Sequence, residues 1–177
     1  HPVTLDVPEG ETLGIVGESG CGKSTLARML VGLLAPSGGH IEIEGQPLDT
    51  ADPAEFGKRI QYVFQDPISS LNPRKTIRQI MEAPLKRLHG MDRATRDTRI
   101  SEIFAQVNLR EEFLERYPHE FSGGQAQRIG IARALAAEAR ILILDEPVSA
   151  LDVSVQAQVL NLLADLKARN SSSSSIS

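Results

Sequence analysis

The 177-residue chain contains no tryptophan, and aromatic residues make up only 4% of its sequence. With so few flat rings, a platform that stacks bases or sugars is a poor first explanation of its function. The single cysteine, Cys21, rules out an internal disulfide and any metal site built from several cysteines. The longest nearly apolar run, residues 26–35, is too short to cross a bilayer and is interrupted by Arg28. Any role at a membrane must therefore come through a partner.

The charge balance narrows the possible partners further. The net charge of −4 argues against a generally basic nucleic-acid binder. Residues 58–116 nevertheless carry 12 Lys and Arg against 8 Asp and Glu. Because both signs are interspersed there, a solvated helix surface explains this excess better than contact with nucleic acid or anionic lipid.

Patterns typical of strands and helices alternate along a chain long enough for one sizeable domain. Strands are predicted at residues 3–7, 11–17, 40–45, 59–65 and 141–146. Helices are predicted at residues 23–34, 76–88, 93–107, 125–139 and 154–169, with a kink or break at Pro84. The alternating apolar and charged residues of 40–45 indicate a half-buried strand in an antiparallel layer. Strand, loop and helix alternate at both ends, which predicts a parallel α/β sheet with a helical insertion.

Three glycines and a lysine are packed into residues 17–25, GESGCGKST, which match the pattern G-x-x-x-x-G-K-[ST]. Such glycines let backbone N–H groups curl around phosphate oxygens, and the following helix points its positive end at the same anion. Lys23 is suited to reach the β- and γ-phosphates of a nucleotide, and the Ser24 hydroxyl is suited to bind Mg²⁺. The nucleotide is predicted to contact Gly17, Glu18, Ser19, Gly20, Cys21, Gly22, Lys23, Ser24 and Thr25.

The apolar strand predicted at residues 141–146 ends in two acids, Asp145 and Glu146. In an open parallel sheet, the carboxyl ends of buried strands lie beside bound phosphates. Asp145 is suited to hold Mg²⁺, and Glu146 is suited to polarise the attacking water as general base. An acidic pair by itself is more often part of a turn, but the glycine-rich loop upstream favours a catalytic site.

A third motif, FSGGQ, covers residues 121–125. Ser122 can cap a helix whose first N–H groups lie in a glycine-lined opening, which would make a second anion site. By itself the motif is better explained as an ordinary N-cap after a flexible turn. Two phosphate sites at helix ends in one small chain make sense only if a second molecule takes part.

Taken together, GESGCGKST, VFQDP, FSGGQAQRIGIARAL, ILILDEP and SALD resemble the ATP-binding subunits of ABC transporters over residues 3–169. More narrowly, QDPISSLNPRKTI, RYPHEFSGGQ and DEPVSALDVSVQAQVLNLL resemble the ATPases of dipeptide and oligopeptide permeases. Nickel permeases share these phrases, so the resemblance leaves peptide and nickel open.

The resemblance implies a role for each matching residue. The catalytic residues would be Glu146, Gln65 and Lys23, and the ligands of Mg²⁺ would be Ser24, Gln65 and Asp145. Ser122, Gly123, Gly124 and Gln125 would close on ATP held by the opposite subunit. Asp152 would lie at the dimer seam.

The resemblance also implies an architecture and an assembly. The fold would be α/β, a RecA-like P-loop NTPase with a parallel sheet core, an antiparallel β layer and an inserted helical subdomain. Its parts would be the core at 1–65, the helical subdomain at 66–135, the rest of the core at 136–169, and a disordered serine-rich tail at 170–177. The partners would be a second ATPase subunit, identical or paralogous, transmembrane permease subunits that bind the helical subdomain, and a separate substrate-binding protein, with no nucleic acid. The subunit would lie peripherally on the cytoplasmic face of the inner or plasma membrane.

The sequence departs from the family pattern in three places. Ala126 stands where this subgroup often has arginine, which we expect to trim a surface contact and leave phosphate binding intact. The family's adenine-stacking aromatic residue and its switch histidine have no counterpart, because none of His1, His40, His89 and His119 fits the histidine's position. We therefore expect the chain to bind ATP and to hydrolyse it weakly or not at all.

Two other functions stay open at this stage. An ABC ATPase of DNA repair, chromosome organisation or translation would need a coiled coil, a zinc insert or a second cassette. Residues 65–122 leave little room for such an insertion. A nucleotide-gated interaction module that does not hydrolyse ATP is the second alternative, and the presence of Lys23, Asp145 and Glu146 argues against it.

Overall fold

The computed structural model describes residues 3–146 and 153–173, with side chains described up to residue 166 and at residue 168. The helices are α1 (Lys23–Leu30), α2 (Pro53–Arg59), α3 (Ile77–His89), α4 (Arg93–Gln106), α5 (Gly123–Ala136) and α6 (Val153–Ser173). The strands are β1 (Glu42–Ile43), β2 (Gln46–Pro47), β3 (Ile60–Val63) and β4 (Ile141–Leu144). Three 3₁₀ turns lie at Ile68–Ser70, Glu111–Glu115 and Pro118–Glu120.

Two small sheets form the β structure of the described residues. Strand β1 pairs with β2 in antiparallel orientation, as predicted, but it covers only two residues of the strand predicted at 40–45. Strand β3 pairs with β4 in parallel orientation, with Ile60 opposite Ile141 and Val63 opposite Leu144. This pairing places the carboxyl ends of β3 and β4 at one edge, where both continue into predicted site residues.

The two strands predicted at residues 3–7 and 11–17 do not form. These residues are exposed and belong to no strand, and Val16 has 93% of its surface exposed. An extended segment becomes a strand only when a neighbour pairs with its N–H and C=O groups, and a sequence pattern cannot supply that neighbour. Strand β4 is likewise less buried than predicted, with Ile141 36% exposed.

Helices α3, α4 and α5 enclose the main hydrophobic core, together with one face of α6. Its fully buried members include Ile77, Met81, Leu85, Ile100, Ile103, Phe104, Ile129, Ile131 and Val159. Pro84 does not break α3, because Met81 and Leu85 are both fully buried on either side of it. Burial of apolar side chains in the tertiary structure thus outweighs the backbone hydrogen bond that a proline removes.

Two helix ends differ by four residues from the sequence prediction. Helix α1 ends at Leu30, four residues early, because Leu33 and Leu34 remain largely exposed and gain little from continuing the helix. Helix α6 continues to Ser173, four residues beyond the predicted helix end at residue 169. Each added helical residue gains one backbone hydrogen bond, which offsets the modest helix propensity of serine. No helix among the described residues is both long and apolar enough to cross a bilayer.

Candidate functional site

The glycine-rich loop leads directly into α1, whose first residue is Lys23. The Lys23 ammonium donates hydrogen bonds to the carbonyl oxygens of Gly17, at 2.8 Å, and Glu18, at 3.0 Å. Its Nζ also lies 3.8 Å from Oε1 of Glu146. Lys23 is therefore folded over the loop and faces the acidic end of β4.

The start of α1 is suited to an anion. Its N-cap, Gly22, has a φ of 102°, which a residue with a side chain rarely adopts, and makes no side-chain cap. Among the helices within residues 3–146, the other four are capped by the side chains of Asp52, Thr76, Asp92 and Ser122. The first N–H groups of α1 are thus left without a side-chain acceptor, as a phosphate site requires.

Asp145 follows β4 and is 92% buried, yet both of its carboxylate oxygens accept a hydrogen bond from a hydroxyl group. Ser24 Oγ donates to Oδ1 at 2.9 Å, and Tyr62 Oη donates to Oδ2 at 2.6 Å. The Ser24 bond joins α1 to the end of β4, which are 121 residues apart in the chain. The structure thus brings together two of the three predicted metal ligands.

Tyr62 is the residue of this site that the sequence reasoning missed. Burial, with the hydrogen bond and charge of Asp145, raises the pKa of Tyr62 to about 12, while Arg28 acts weakly in the opposite direction. The phenol is therefore a protonated donor at neutral pH. The available signal was its position in the predicted strand at 59–65, three residues before Gln65, but the pairing of β3 with β4 was needed to aim it at Asp145.

Glu146 lies between the other two predicted catalytic residues. The Gln65 side-chain amide donates to Oε2 of Glu146 at 3.3 Å, while Lys23 approaches Oε1. The φ of Glu146 is 44°, in the left-handed region that non-glycine residues seldom occupy. Such backbone strain is concentrated at functional sites. Lys23, Gln65 and Glu146, predicted from three separate motifs, are thus neighbours.

The residues present fit Mg²⁺ as a partner of a bound nucleotide. Ser24 and Asp145 offer hard oxygen ligands next to each other, the chemistry that this ion prefers. No group of three His, Cys, Asp or Glu side chains within the described part of the chain could hold a metal ion. A magnesium ion here would need further ligands from substrate phosphates and water, as is usual for nucleotide sites.

The remaining loop residues predicted to bind the nucleotide are Ser19, Gly20, Cys21 and Thr25, all of which are exposed. The FSGGQ motif forms the predicted cap of α5. Ser122 Oγ accepts the Gln125 N–H, and Gln125 Oε1 accepts the Ser122 N–H, which completes a capping box. A Cβ at Gly124 would overlap Cγ1 of Val155, so this glycine lets α5 approach α6 closely. Asp152 lies outside the described residues.

The chain is similar to known ATP-binding proteins of transporters. A family model described as ABC transporter matches residues 1–149. The oligopeptide transport ATP-binding protein OppF of Escherichia coli (strain K12) is 53% identical over 169 residues, which cover 93% of this chain and 51% of OppF. AppF of Bacillus subtilis (strain 168), an oligopeptide transport ATP-binding protein, is 50% identical with the same coverage. The chain spans about half the length of the curated relatives it matches.

Solved structures of ATP-binding cassettes have the same fold. The cassette MJ0796, in a dimeric post-hydrolysis state bound to ADP and Pi, superposes with a TM-score of 0.82 at 33% identity. The match covers 94% of this chain and 73% of that one. The cbiO1 protein from Clostridium perfringens, part of the ABC transporter complex cbiONQ, gives 0.80 at 28% identity over 93% of this chain and 65% of its own. The predicted fold class is confirmed.

Proposed function

The chain belongs to the ABC transporter family, and from this premise we propose that it binds and hydrolyses ATP as a subunit of an importer for dipeptides or oligopeptides. One observation carries the proposal. Three distant segments bring Lys23, Ser24, Gln65, Asp145 and Glu146 into one group of contacts. These are the side chains needed to hold a nucleoside triphosphate and to activate water.

Each side chain in this group has a task that its geometry supports. The uncapped start of α1 and the Lys23 ammonium bind phosphate oxygens. Ser24 and Asp145 hold Mg²⁺, which when bound neutralises charge on the phosphates. Glu146 accepts a proton from water, and the Gln65 amide orients the Glu146 carboxylate. The Gly124 contact couples the FSGGQ helix α5 to α6.

The names of the relatives support peptides as the transported substrate. In this proposal a second ATPase subunit supplies its Ser122–Gln125 segment to the ATP held here, and ATP binding closes the dimer. The dimeric cassette structure supports that arrangement. Permease subunits contact the helical subdomain, and the assembly lies on the cytoplasmic face of the membrane. The same relatives support an importer over a DNA-repair ATPase or a module without hydrolysis.

The decisive experiment compares phosphate release from ATP by the longer protein and by its Glu146→Gln variant, because residues 1–177 alone are expected to hydrolyse ATP weakly or not at all. Loss of the general base should slow hydrolysis about 10²- to 10⁴-fold while ATP binding persists. The variant should also lengthen the lifetime of an ATP-bound dimer. A protein that does not bind ATP, or a Glu146→Gln variant that hydrolyses it at the wild-type rate, would contradict the proposal.

Glu138→Gln is a closely matched control. Glu138 also has a left-handed backbone, with a φ of 53°, and its side chain is 37% exposed against 38% for Glu146. It forms an ion pair with Arg99, as Glu146 does with Lys23. Its substitution should leave hydrolysis unchanged, so a loss confined to Glu146→Gln reports chemistry rather than the local backbone.

The substrate is tested separately by reconstituting the longer protein with its permease and binding-protein partners in vesicles. Uptake of a labelled di- or oligopeptide that requires ATP is the expected result. Uptake of nickel without uptake of peptide would assign the chain to the other branch of this subgroup.

A further inference from the structure

We propose that Tyr62 is a positioning residue for the magnesium site, holding Asp145 by one carboxylate oxygen so that the other faces Ser24. This inference rests on the proposed function, since it concerns the metal that accompanies ATP. Tyr62 is not one of the residues that the sequence motifs assign to the site. Its hydroxyl is 2.6 Å from Oδ2 of Asp145, a short hydrogen bond to a charged acceptor.

The register of the parallel sheet explains how Tyr62 reaches Asp145. Tyr62 lies opposite Ile143 in the β3–β4 pair. Side chains alternate between the two faces of a strand, so Ile143 and Asp145 project on the same side. Asp145 is then the diagonal neighbour of Tyr62, within reach of a long side chain. The Asp145 N–H also donates to the Val63 carbonyl at 3.0 Å, which extends the pairing past the end of β4.

The two carboxylate oxygens of Asp145 have different partners, and this difference defines the role of Tyr62. Ser24, which donates to Oδ1, is itself a predicted metal ligand. Tyr62, which donates to Oδ2, is a donor outside the predicted ligand set. Rotation about the Cβ–Cγ bond of an aspartate (χ2) is only weakly restricted, so a carboxylate that is held at one oxygen can rotate. The Tyr62 hydroxyl fixes that rotation and satisfies an oxygen of a residue that is 92% buried.

The ring of Tyr62 is positioned independently of its hydroxyl. It packs edge-to-face against Phe64, with 4.5 Å between the ring centroids. Tyr62→Phe should therefore keep the packing and remove a single oxygen atom. Hydrogen-bond partners of metal ligands are often worth about 10- to 100-fold in metal affinity, and this range sets the expected effect.

The test measures ATP affinity by calorimetry, in EDTA and at increasing Mg²⁺ concentrations. Tyr62→Phe should raise the Mg²⁺ concentration for half-maximal effect about tenfold or more. ATP affinity in EDTA should stay within about twofold of wild type, because the loop and Lys23 are unchanged. Tyr117→Phe is the control, since Tyr117 is the only other tyrosine, is 41% exposed and stacks on His119.

Two outcomes would overturn the assignment. An unchanged Mg²⁺ requirement in Tyr62→Phe would show that the hydroxyl does not position Asp145. Equal losses of affinity with and without Mg²⁺ would assign Tyr62 to general stability of the fold. If the wild type binds no ATP in either condition, the proposed function fails instead, so the two failures are distinguishable.

A double-mutant cycle sharpens the result. In an Asp145→Asn background the ligand that Tyr62 positions is already altered, so adding Tyr62→Phe should change the Mg²⁺ requirement little further. Equal and additive effects in the two backgrounds would contradict the proposal. Because the chain has no tryptophan, the Tyr117→Phe variant also leaves Tyr62 as its sole source of tyrosine fluorescence. That emission should change when Mg²⁺ is added to the ATP-bound protein, and no change would count against the contact.

Discussion

Phe104, in the core of the helical region, is fully buried, whereas Val16, next to the glycine-rich loop, is 93% exposed. Helices α3 to α5 are stabilised by apolar packing and by side-chain caps. The described residues up to Leu30 include none that is buried, and polar contacts such as Ser24 with Asp145 connect them to the rest. The region with the buried apolar core is therefore not the one that carries the glycine-rich loop.

This contrast has a functional meaning. Segments with few buried apolar contacts open locally at low free-energy cost, and ligand-binding loops are commonly drawn from such segments. A nucleotide that bridges the loop, α1 and the ends of β3 and β4 would supply contacts that the protein alone does not make there. Helices α3 to α5 already share a buried apolar core.

The largest expected effect is a difference in stability between the two regions. Phe104→Ala should lower the free energy of unfolding by about 3–5 kcal/mol, because it leaves a cavity in a packed core. Ile15→Ala should change it by about 0.5 kcal/mol, since Ile15 is already 44% exposed. Denaturant unfolding of both variants measures the difference, and similar losses would abolish the contrast.

The next effect concerns the ligand. At ATP concentrations about 100-fold above its dissociation constant, binding stabilises the bound state by about 2.7 kcal/mol. Amides that open only in the free state should then exchange roughly 100-fold more slowly. Amide hydrogen exchange should slow in this way over residues 17–25 and not at Met81 or Leu85 in α3. Equal slowing in both places would show that the two regions unfold as one unit.

A smaller effect tests the junction of α5, which begins in the FSGGQ motif, with α6. Gly124→Ala introduces a Cβ that overlaps Val155, and the resulting strain should cost about 1–3 kcal/mol of stability. Thermal unfolding measures the loss. The double variant with Val155→Ala removes the obstructing methyl groups and should recover much of it. Absence of recovery would indicate that the glycine is needed for its backbone rather than for packing.

The smallest effect is a pH dependence confined to the helical region. Asp92 is the N-cap of α4, and its carboxylate accepts a hydrogen bond from the Thr95 N–H. This hydrogen bond lowers the pKa of the Asp92 carboxyl below its ordinary value. A lowered pKa in the folded state gives stability that is fully present above the ordinary carboxyl range, near pH 4. That stability is lost as the pH falls through the lower, folded value.

The measurement compares the Tm of the wild type with that of Asp92→Asn, which keeps a side-chain cap but does not titrate. The difference should be constant above about pH 5 and should shrink in more acidic solution. A difference that does not depend on pH would show that the charge of Asp92 adds nothing to the cap.

Local signals in the sequence were sufficient for much of the fold. The caps at Thr76, Asp92 and Ser122 lie near the predicted starts of α3, α4 and α5. Each cap accepts a hydrogen bond from the backbone N–H three residues further on, so the interaction is local in the sequence. Of the kink or break predicted at Pro84, the break was wrong, because α3 continues through Pro84 and buries Met81 and Leu85, which a local pattern does not show. The strands at residues 3–7 and 11–17 were wrong as well, because pairing with a neighbour is not a local property.

The candidate site divides in the same way. The sequence by itself determined the glycine-rich loop, the acids at the end of β4 and the family, because these depend on residue types at fixed short spacings. Only the tertiary structure decided that Tyr62 faces Asp145, since β3 and β4 pair in parallel through residues that are 81 positions apart in the chain. It likewise decided the contacts of Lys23 and Gln65 with Glu146. A contact between distant segments depends on the packing of every element between them, and a short sequence motif does not specify that packing.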